Sequence, residues 1–269
     1  MRRFTIAPDR IHDGRVLFDR DESRHLARVL RLKAGDTVIA ADGAGRDFTV
    51  RLEDVGETVT GTVLGVARTD AESPLRATLI QSVPKGDKME AIVRAATELG
   101  VARIVPVTTE RTVVTLEPSR WRERARRWQR VAKEAAKQCG RAVIPPVDVA
   151  RPLAEFLALD EPAHLRLCLW PRAAAQGEGG GEAAAAQGQG GGQALPFRTT
   201  LTQSLPPTLP VGAHVHLLIG PEGGLSRREV ETAEAHGFRV VGVGPRILRS
   251  ETAGPAILAV LQSRFGDLQ

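Results

Sequence analysis

The sequence predicts an α/β protein with two domains, a small β-rich domain followed by a larger one built on a mostly parallel sheet. Three observations lead to this prediction. Short β-branched segments, each bounded by Gly or Asp, fill residues 1–70. From Pro74 onward, apolar segments alternate with stretches of helical periodicity, as in sheets covered by helices on both faces. The polar segment Thr69–Pro74 separates the two patterns, so we expect domains at 1–70 and 74–269.

The first domain is predicted to be a small antiparallel barrel with one short helix. The sequence DGAGRD between two of its strands is a hairpin turn signal. A helix is predicted over Asp21–Leu32, capped by Ser23, because His25 and the apolar residues after it recur at helical spacing. The predicted strands are Arg15–Asp19, Thr37–Asp42, Asp47–Val55 and Thr58–Val66.

The second domain is predicted to alternate buried strands with capped helices. The predicted strands are Leu75–Val83, Arg103–Val107, His164–Trp170, His214–Gly220 and Phe238–Gly244. The predicted helices are one after Lys85 with an Asp87–Glu90 capping box, Pro118–Arg141 opened by Ser119, Ser226–Gly237 with a Ser226–Glu229 capping box, and Glu251–Arg264. In the second helix, an apolar stripe predicted to lie in the core consists of Trp121, Ala125, Trp128 and Ala132. Residues 173–194 are low in complexity and are predicted to form a flexible surface insertion.

Composition and charge limit the classes of function. The formal net charge is +5 and the sequence pI is about 9.8, which indicates either a polyanionic partner or Arg used for solubility. The absence of Tyr argues against an open aromatic platform for single-stranded nucleic acid. No apolar run approaches the roughly 18 residues of a membrane span, and the N-terminus lacks the apolar core of a signal peptide. We therefore expect a cytoplasmic protein that has no contact with membranes.

Cysteine and histidine usage predicts neither a disulfide framework nor a metal site. Cys139 and Cys168 stand far apart and are predicted to be buried thiols in a reducing compartment. The histidines and cysteines offer no pair at zinc-ligand spacing.

The phosphate-binding motifs of common nucleotide folds are missing. Gly242 and Gly244 begin a G-x-G pattern, but Pro245 has no N–H to donate and Ile247 stands where the third glycine belongs. PKGDKME does not match the P-loop pattern. A dinucleotide-dependent dehydrogenase is therefore disfavoured.

Two glycine-proline loops remain as the candidate site. IGPEGG and VGPRILRS each follow a predicted strand, and ligands of open α/β sheets bind beyond the carboxyl ends of strands. Gly223 and Gly224 allow close backbone approach, while Pro221 and Pro245 stiffen the loops. Either loop alone would indicate an ordinary turn. Their repetition, with a polar set after the second loop, favours a binding site for a flat ligand such as adenine.

These motifs resemble the RsmE family, the bacterial 16S ribosomal RNA uridine-N3 methyltransferases of the SPOUT class. The resemblance covers nearly the whole chain and departs from the family pattern at the Gly/Ala/Gln insertion. The matching blocks are HLARVLRLKAGD, KGDKMEAIVRAATELGV, TERTVV, WQRVAKEAAKQCGR, IGPEGGLS, GPRILRSETA and LQSRFGDL.

The resemblance implies a PUA-like N-terminal barrel and a C-terminal SPOUT domain with a deep trefoil knot. It also implies a homodimer, S-adenosylmethionine (SAM) as cofactor without a metal, and a uridine of 16S rRNA, within the small ribosomal subunit, as substrate. The knot loops Leu218–Gly224 and Val243–Ser250 would hold SAM, with Ile80–Ser82 near the pocket floor. The implied cofactor residues are Leu218, Ile219, Gly220, Pro221, Gly223, Gly224, Val243, Gly244, Leu248 and Ser250.

The chemistry of uridine methylation suggests roles for the charged residues. N3 becomes nucleophilic when it loses its proton, and the charge then spreads to O2 and O4. Arg249, or second to it Arg246, is a candidate to stabilise this charge, and Glu251 is a candidate proton acceptor. Glu251 would serve equally well as a charge at the helix N-terminus, and Arg246 as an ion-pair partner.

Basic residues are candidates for RNA contact. The candidates in the first domain are Arg2, Arg3, His25, Arg28, Arg31 and Lys33, although Arg28 and Arg31 also fit a solvated helix face. In the second domain, Arg141 is a further candidate and Gln138 a possible neighbour of the site. Two other functions stay open at this point: an RNA-binding assembly factor that keeps the SAM pocket without turnover, and a nucleotide-binding metabolic enzyme.

Overall fold

The computed structural model describes residues 2–68, 71–170 and 199–268. The predicted insertion at 173–194 lies outside the described residues. The chain forms two compact units, one of Met1–Glu72 with Arg130–Pro145 and the other of Ser73–Gln129 with Pro146–Gln269. The boundary after Glu72 falls inside the segment that the sequence predicts as a linker. Residues 130–145, placed by the sequence in the second domain, group with the smaller unit.

The smaller unit is built on a six-stranded sheet in the order β1-β4-β5-β6-β3-β2. Its strands are β1 (Arg3–Thr5), β2 (Ile11–His12), β3 (Arg15–Leu17), β4 (Thr37–Ala41), β5 (Arg46–Val55) and β6 (Val59–Arg68), with a single 3-10 turn at Pro8–Arg10. All pairs are antiparallel except β1 with β4. The strands predicted from β-branched segments are confirmed. β1 and β2 were not predicted, because strands of three and two residues are too short to show an alternation of apolar and polar side chains.

The helix of the smaller unit differs from its prediction. Helix α1 (Arg20–Arg24) is capped by Asp19, whose Oδ1 accepts a hydrogen bond from Glu22 N at 2.8 Å. The prediction of Ser23 as the cap was wrong, because the buried Ser23 hydroxyl donates to Phe18 O and accepts from Val59 N. The helix then widens over His25–Val29, where Leu30 N donates to His25 O, five residues back.

Carboxylates attach residues 130–145 within the smaller unit. Glu72 accepts hydrogen bonds from the Arg141 guanidinium at 2.8 and 3.2 Å and from the backbone N–H groups of Ala142 and Val143. The buried Glu22 accepts from Lys137 Nζ at 2.8 Å. Arg141 has only 6% of its surface exposed, so its charge is committed to Glu72. Lys137 and Arg141 therefore form ion pairs within the smaller unit.

The larger unit is built on a seven-stranded parallel sheet in the order β11-β13-β10-β12-β7-β8-β9. Its strands are β7 (Arg76–Ser82), β8 (Arg103–Thr108), β9 (Arg151–Pro152), β10 (Leu165–Leu169), β11 (Thr199–Thr200), β12 (His214–Ile219) and β13 (Arg239–Gly242). The predicted strands of this domain are confirmed. The two-residue strands at the sheet edges were not predicted.

The helices after β7 are α2 (Lys88–Glu98), α3 (Pro118–Cys139), α4 (Leu153–Ala158), α5 (Leu201–Ser204), α6 (Arg227–Ala235) and α7 (Ser250–Phe265). All of them belong to the larger unit except the end of α3 from Arg130 onward. The Ser226–Glu229 capping box of α6 is confirmed. The Asp87–Glu90 box was wrong, because the Asp87 side chain caps nothing and Glu90 pairs with Arg127 at 2.6 Å. Ser119 does not open α3, since the helix already begins at Pro118.

Helices cover both faces of the parallel sheet, as predicted. On one face, Ile80 and Leu218 share a buried cluster with Phe156 of α4 and Val230 of α6. On the other face, α7 contacts β7 and β12 and α2 contacts α7. Successive strand residues point to opposite faces, so the central strands β7, β8, β10 and β12 are buried on both sides. This explains the near-continuous apolar runs in the sequence.

Other buried predictions have mixed outcomes. The stripe of Trp121, Ala125, Trp128 and Ala132 is buried, as predicted. Cys168 is fully buried, and burial raises the pKa of its thiol to about 12. Cys139 is half-buried, so its predicted burial was wrong, and both cysteines are free thiols. Over the described ranges, no helix is long and apolar enough to cross a membrane.

The packing of His216 predicts a pH-dependent stability. His216 is 4% exposed beside the Phe156 ring, and burial lowers its pKa from 6.5 to about 4. The unfolded chain binds this proton near pH 6.5 and the folded chain only near pH 4, so stability is complete above pH 6.5 and falls as the pH drops toward 4. We expect a loss of up to about 3 kcal/mol, since one pKa unit corresponds to about 1.4 kcal/mol.

Urea unfolding of the His216→Gln variant between pH 6.5 and 4 measures this contribution, because the variant cannot take up the proton. Its free energy of unfolding should fall less than that of the wild type over this range. His12→Gln, at an exposed position, is the control and should follow the wild type. Equal slopes for His216→Gln and wild type would contradict the prediction.

Candidate cofactor and active site

Two loops of the larger unit flank one strand end. The first loop, residues 220–226, follows β12, and the second, residues 243–249, follows β13. Strand β10 pairs with both β12 and β13 and so lies between them in the sheet. Because the strands are parallel, both loops leave the same edge of the sheet, on either side of Trp170 at the end of β10. The topology thus places the two predicted loops around one position.

A buried chain of hydrogen bonds connects three segments at this edge. Ser250 Oγ donates to Gly220 O at 3.0 Å and accepts from Gln81 Nε2 at 3.1 Å. Gln81 Nε2 also donates to Ser82 O at 3.0 Å. The chain therefore links the end of β7, the start of the first loop and the first residue of α7. Ser250, predicted to touch the cofactor, serves here to connect the two loops.

The first loop is also held by the segment after β8. Arg111 Nη1 donates to Gly223 O at 3.0 Å, and Glu110 N donates to Glu229 Oε1 at 2.8 Å. Glu229 at the same time completes the capping box with Ser226. Residues Thr109–Val114, which carry the family block TERTVV, were not predicted to hold the first loop. The available signal was the charged pair Glu110 and Arg111, which stands two residues after the buried strand β8.

The predicted cofactor residues divide into buried supports and open loop positions. The side chains of Leu218 and Ile219 are fully buried, and both residues belong to β12, which pairs with β10 on one side and β7 on the other. Val243 and Leu248 are half-buried. Gly224 and Gly244 have φ values of +70° and +64°, and a Cβ built on either meets no atom within 4 Å. Open space therefore lies beside a glycine in each loop.

Unpaired polar atoms accumulate at the same edge of the sheet. The buried atoms without a hydrogen-bond partner in the larger unit, as far as the structure describes it, are Gln81 Oε1, Ser82 Oγ, Trp170 Nε1 and Glu251 Oε2. Leaving such atoms unpaired costs free energy, so they are positions at which a ligand or a water molecule would donate or accept a hydrogen bond. The strand register aligns Leu169, Ile219 and Gln81, which brings Trp170 and Ser82 to the row just beyond.

A charged cluster, Lys88 with Glu222, Glu251 and Arg249, lies beside the buried chain. Lys88 Nζ is 2.9 Å from Glu222 Oε1 and 3.6 Å from Glu251 Oε2. Arg249 Nη1 is 3.9 Å from Glu251 Oε1, and its side chain is 83% exposed. Burial alone would raise the pKa of Glu222, but the hydrogen bonds from Lys88 and the backbone outweigh it, so that pKa is lowered. The sequence predicted Arg249 and Glu251 but missed Lys88 and Glu222.

The other predicted charged residues have different surroundings. Arg246 is exposed. In the smaller unit, Arg2, Arg28, Arg31 and Lys33 are exposed. Arg3 forms an ion pair with Asp47, as Arg141 does with Glu72. His25 is half-buried, packed edge-on against Phe4, and Gln138 is exposed. Within the described residues, no group of three or more His, Cys, Asp or Glu side chains is placed to hold a metal ion.

Comparisons with known proteins identify the two parts of the chain. Residues 71–262 match the model of the RNA methyltransferase domain, and residues 18–62 match that of the RNA methyltransferase PUA domain. The chain is 33% identical to ribosomal RNA small subunit methyltransferase E of Synechocystis, over 97% of this chain and 77% of the relative. It is 29% identical to the Bacillus subtilis protein of the same name, over 87% of this chain and 84% of the relative.

Solved structures agree with this assignment. The crystal structure of ribosomal RNA small subunit methyltransferase E from Neisseria gonorrhoeae, bound to S-adenosyl methionine, has 32% sequence identity and a TM-score of 0.81, covering 100% of both chains. The parallel α/β sheet and the preceding β sheet are thus a shared architecture. The chain belongs to the ribosomal RNA small subunit methyltransferase E family, whose PUA and RNA methyltransferase domains it carries in that order.

Proposed function

We propose that this protein is a SAM-dependent methyltransferase that modifies N3 of a uridine in 16S rRNA. The observation that carries the proposal is the Ser250 chain, which connects two glycine-proline loops over one edge of a parallel sheet. The names of the relatives support methylation of small-subunit rRNA, and the SAM-bound Neisseria structure supports the cofactor. The N3 position rests on the family resemblance of the loop motifs.

The residues at this edge fit SAM. Half-buried Val243 and Leu248 offer apolar contact for a flat adenine ring, and the open space beside Gly224 and Gly244 leaves room for a ligand against the backbone. Unpaired Gln81 Oε1 and Ser82 Oγ can pair with the polar groups of a nucleoside. When bound, SAM would supply a methyl group on a sulfonium, which is transferred by in-line displacement.

The charged residues at the mouth of the site have roles in activating the base. Glu251 would accept the N3 proton, directly or through water; its Oε2 lies 3.6 Å from Lys88 Nζ, beyond hydrogen-bond distance. Arg249 would stabilise the negative charge that this leaves on O2 and O4, with exposed Arg246 as the second candidate. N3 is then a nucleophile with its lone pair free. Reading N3 requires the uridine to leave its base pair.

The RNA-binding surface that we propose is narrower than the sequence suggested. Arg2, Arg28, Arg31 and Lys33 are exposed and free to neutralise phosphates. Arg3 and Arg141 have carboxylate partners, so we assign them to the folding of the smaller unit. The homodimer, the trefoil knot, a cytoplasmic location and action on the small ribosomal subunit complete the proposal, and all rest on the family resemblance.

Gly220→Ala is expected to weaken SAM binding roughly tenfold, equivalent to about 1.4 kcal/mol. An added Cβ would lie 3.0 Å from Leu225 N and 3.2 Å from Gly224 C, which displaces the first loop. Calorimetric titration with SAM measures the effect. Gly65→Ala is the matched control, because a Cβ there meets nothing within 4 Å. Unchanged SAM affinity in Gly220→Ala would contradict the pocket assignment.

Arg249→Ala is expected to lower kcat on the order of 100-fold, as when one donor to a developing anion is lost. SAM affinity should change less than about threefold, because we assign Arg249 to the base. Small ribosomal subunits from a strain lacking the activity, incubated with labelled SAM, provide the assay. Arg228→Ala removes an exposed charge on α6 as control. Equal losses of kcat and SAM affinity would argue against this role, and wild-type binding of SAM without turnover would favour the assembly factor.

Arg28→Ala is expected to weaken RNA binding by a similar factor for all sequences and to reduce its salt dependence. Each lost phosphate contact lowers the slope of log affinity against log salt by about 0.7 to 0.9. Filter binding to 16S rRNA between low and moderate salt measures the slope. Arg51→Ala, exposed on β5, is the control. A slope identical to wild type would remove Arg28 from the proposed surface.

A further inference from the structure

Lys88 lies between two carboxylates that come from different segments of the site. Its Nζ approaches Glu222 in the first loop at 2.9 Å and Glu251 in the first turn of α7 at 3.6 Å. Lys88 itself is the first residue of α2. One ammonium group therefore connects the first loop with the start of α7, the same two segments that the Ser250 chain connects through buried hydrogen bonds.

The contact with Glu222 fixes the position of the ammonium group. Glu222 Oε1 accepts a second hydrogen bond, from Lys85 N at 3.1 Å, in the loop that leads into α2. The hydrogen bond to Glu222 is also the largest cause of the raised pKa of Lys88, so this side chain stays protonated throughout the neutral range. A charge fixed in this way has one further neighbour, Glu251.

On Glu251, the two carboxylate oxygens have different surroundings. Oε1 is 3.9 Å from the exposed Arg249 guanidinium, whereas Oε2 is 3.6 Å from Lys88 Nζ. Oε2 is buried, and no group of the described residues lies within hydrogen-bond distance of it. An unpaired, buried carboxylate oxygen beside a cation is attracted to that cation without being saturated by it. It therefore keeps a lone pair for a proton from elsewhere.

We propose that Lys88 is a positioning residue for the methyl transfer: its ammonium group orients the Glu251 carboxylate toward the base and holds it against the first loop. This inference rests on the proposed function, in which Glu251 accepts the N3 proton. Lys88 touches neither base nor cofactor and acts through Glu251.

The alternative is an ordinary stabilising ion pair, and magnitudes separate the two. Lys88 is 37% exposed, and ion pairs at such exposed positions contribute little to stability. Removing the charge should therefore leave folding and SAM affinity nearly unchanged. A positioning role instead predicts a loss of kcat far larger than the loss of either.

The test compares Lys88→Met, Lys88→Arg and Lys85→Met in the full-length protein. Lys85→Met is the matched control, because it removes a lysine charge three residues earlier, in the loop that leads into α2, while keeping the backbone N–H that Glu222 uses. For each variant, kcat on small ribosomal subunits, the Kd for SAM and the thermal unfolding midpoint are measured, and kcat is followed across pH.

We expect Lys88→Met to lose about 10- to 100-fold in kcat, with the Kd for SAM within about threefold of wild type, because the first loop keeps the hydrogen bond from Lys85 N to Glu222 and the loss falls on turnover. The acid limb of its pH profile should move to higher pH, since a carboxylate that loses a neighbouring cation binds protons more readily. Lys88→Arg should recover most of the loss, and Lys85→Met should behave as wild type.

Three outcomes overturn the inference. They are unchanged kcat in Lys88→Met, parallel losses of kcat, SAM affinity and thermal stability, and an acid limb that does not move. If the wild type itself transfers no label to 16S rRNA, the proposed function fails and this inference fails with it. An active wild type with an unaffected Lys88→Met variant refutes the role of Lys88 alone.

Discussion

The candidate site depends on one hydroxyl group. Ser250 Oγ donates to the carbonyl of Gly220 and accepts from the amide of Gln81, so it satisfies backbone and side-chain groups from two other segments. Gln81 is buried and Gly220 half-buried, so losing the hydroxyl would leave the Gly220 carbonyl and one N–H of the Gln81 amide unpaired, at about 1 to 3 kcal/mol for each. The amide would keep its hydrogen bond to Ser82 O. Gly254 contributes on the next turn of α7, where a Cβ would come within 3.3 Å of Gln81 Oε1. The absence of a side chain there lets the helix approach β7 closely enough for the chain to form.

This constraint produces a site only because of the strand order. The two loops follow β12 and β13, which lie far from β7 in the sequence. These two strands do not pair with each other, because β10 lies between them in the sheet. The pairing of β10 with both β12 and β13 sets the distance between the loops, and the parallel direction puts both on one edge. Ser250 then determines how the second loop returns toward the first. The strand order therefore sets the distance between the two loops, and the hydrogen bonds of Ser250 hold the end of the second loop against the start of the first.

The sequence was informative where the signal is local. Apolar runs predicted the central parallel strands, and Ser226 with Glu229 predicted a capping box, because both patterns act within a few residues. It was misleading where a distant group competes, as at Ser23, whose hydroxyl binds Val59 N instead of capping a helix. Arg3 and Arg141 looked like free cations because their partners, Asp47 and Glu72, are remote in the chain. The two loops were predicted as a binding site from their repeated glycine-proline pattern, and the family resemblance implied SAM as the ligand. Their connection by Ser250 and the cluster around Lys88 depend on pairing that no local pattern contains.

Two kinds of interaction, neutral hydrogen bonds and ion pairs, have different effects at this edge of the sheet. The neutral, buried chain through Ser250 fixes the backbone, since breaking it exposes no charge to water but strands polar groups in the interior. The charged cluster around Lys88 is half-exposed and contributes little to stability, so it is free to set the orientation of side chains. A site that must bind RNA and release it benefits from this separation. Phosphates or salt can perturb the outer charges without disturbing the inner chain, which keeps the two loops in place while the side chains that we propose to be catalytic adjust.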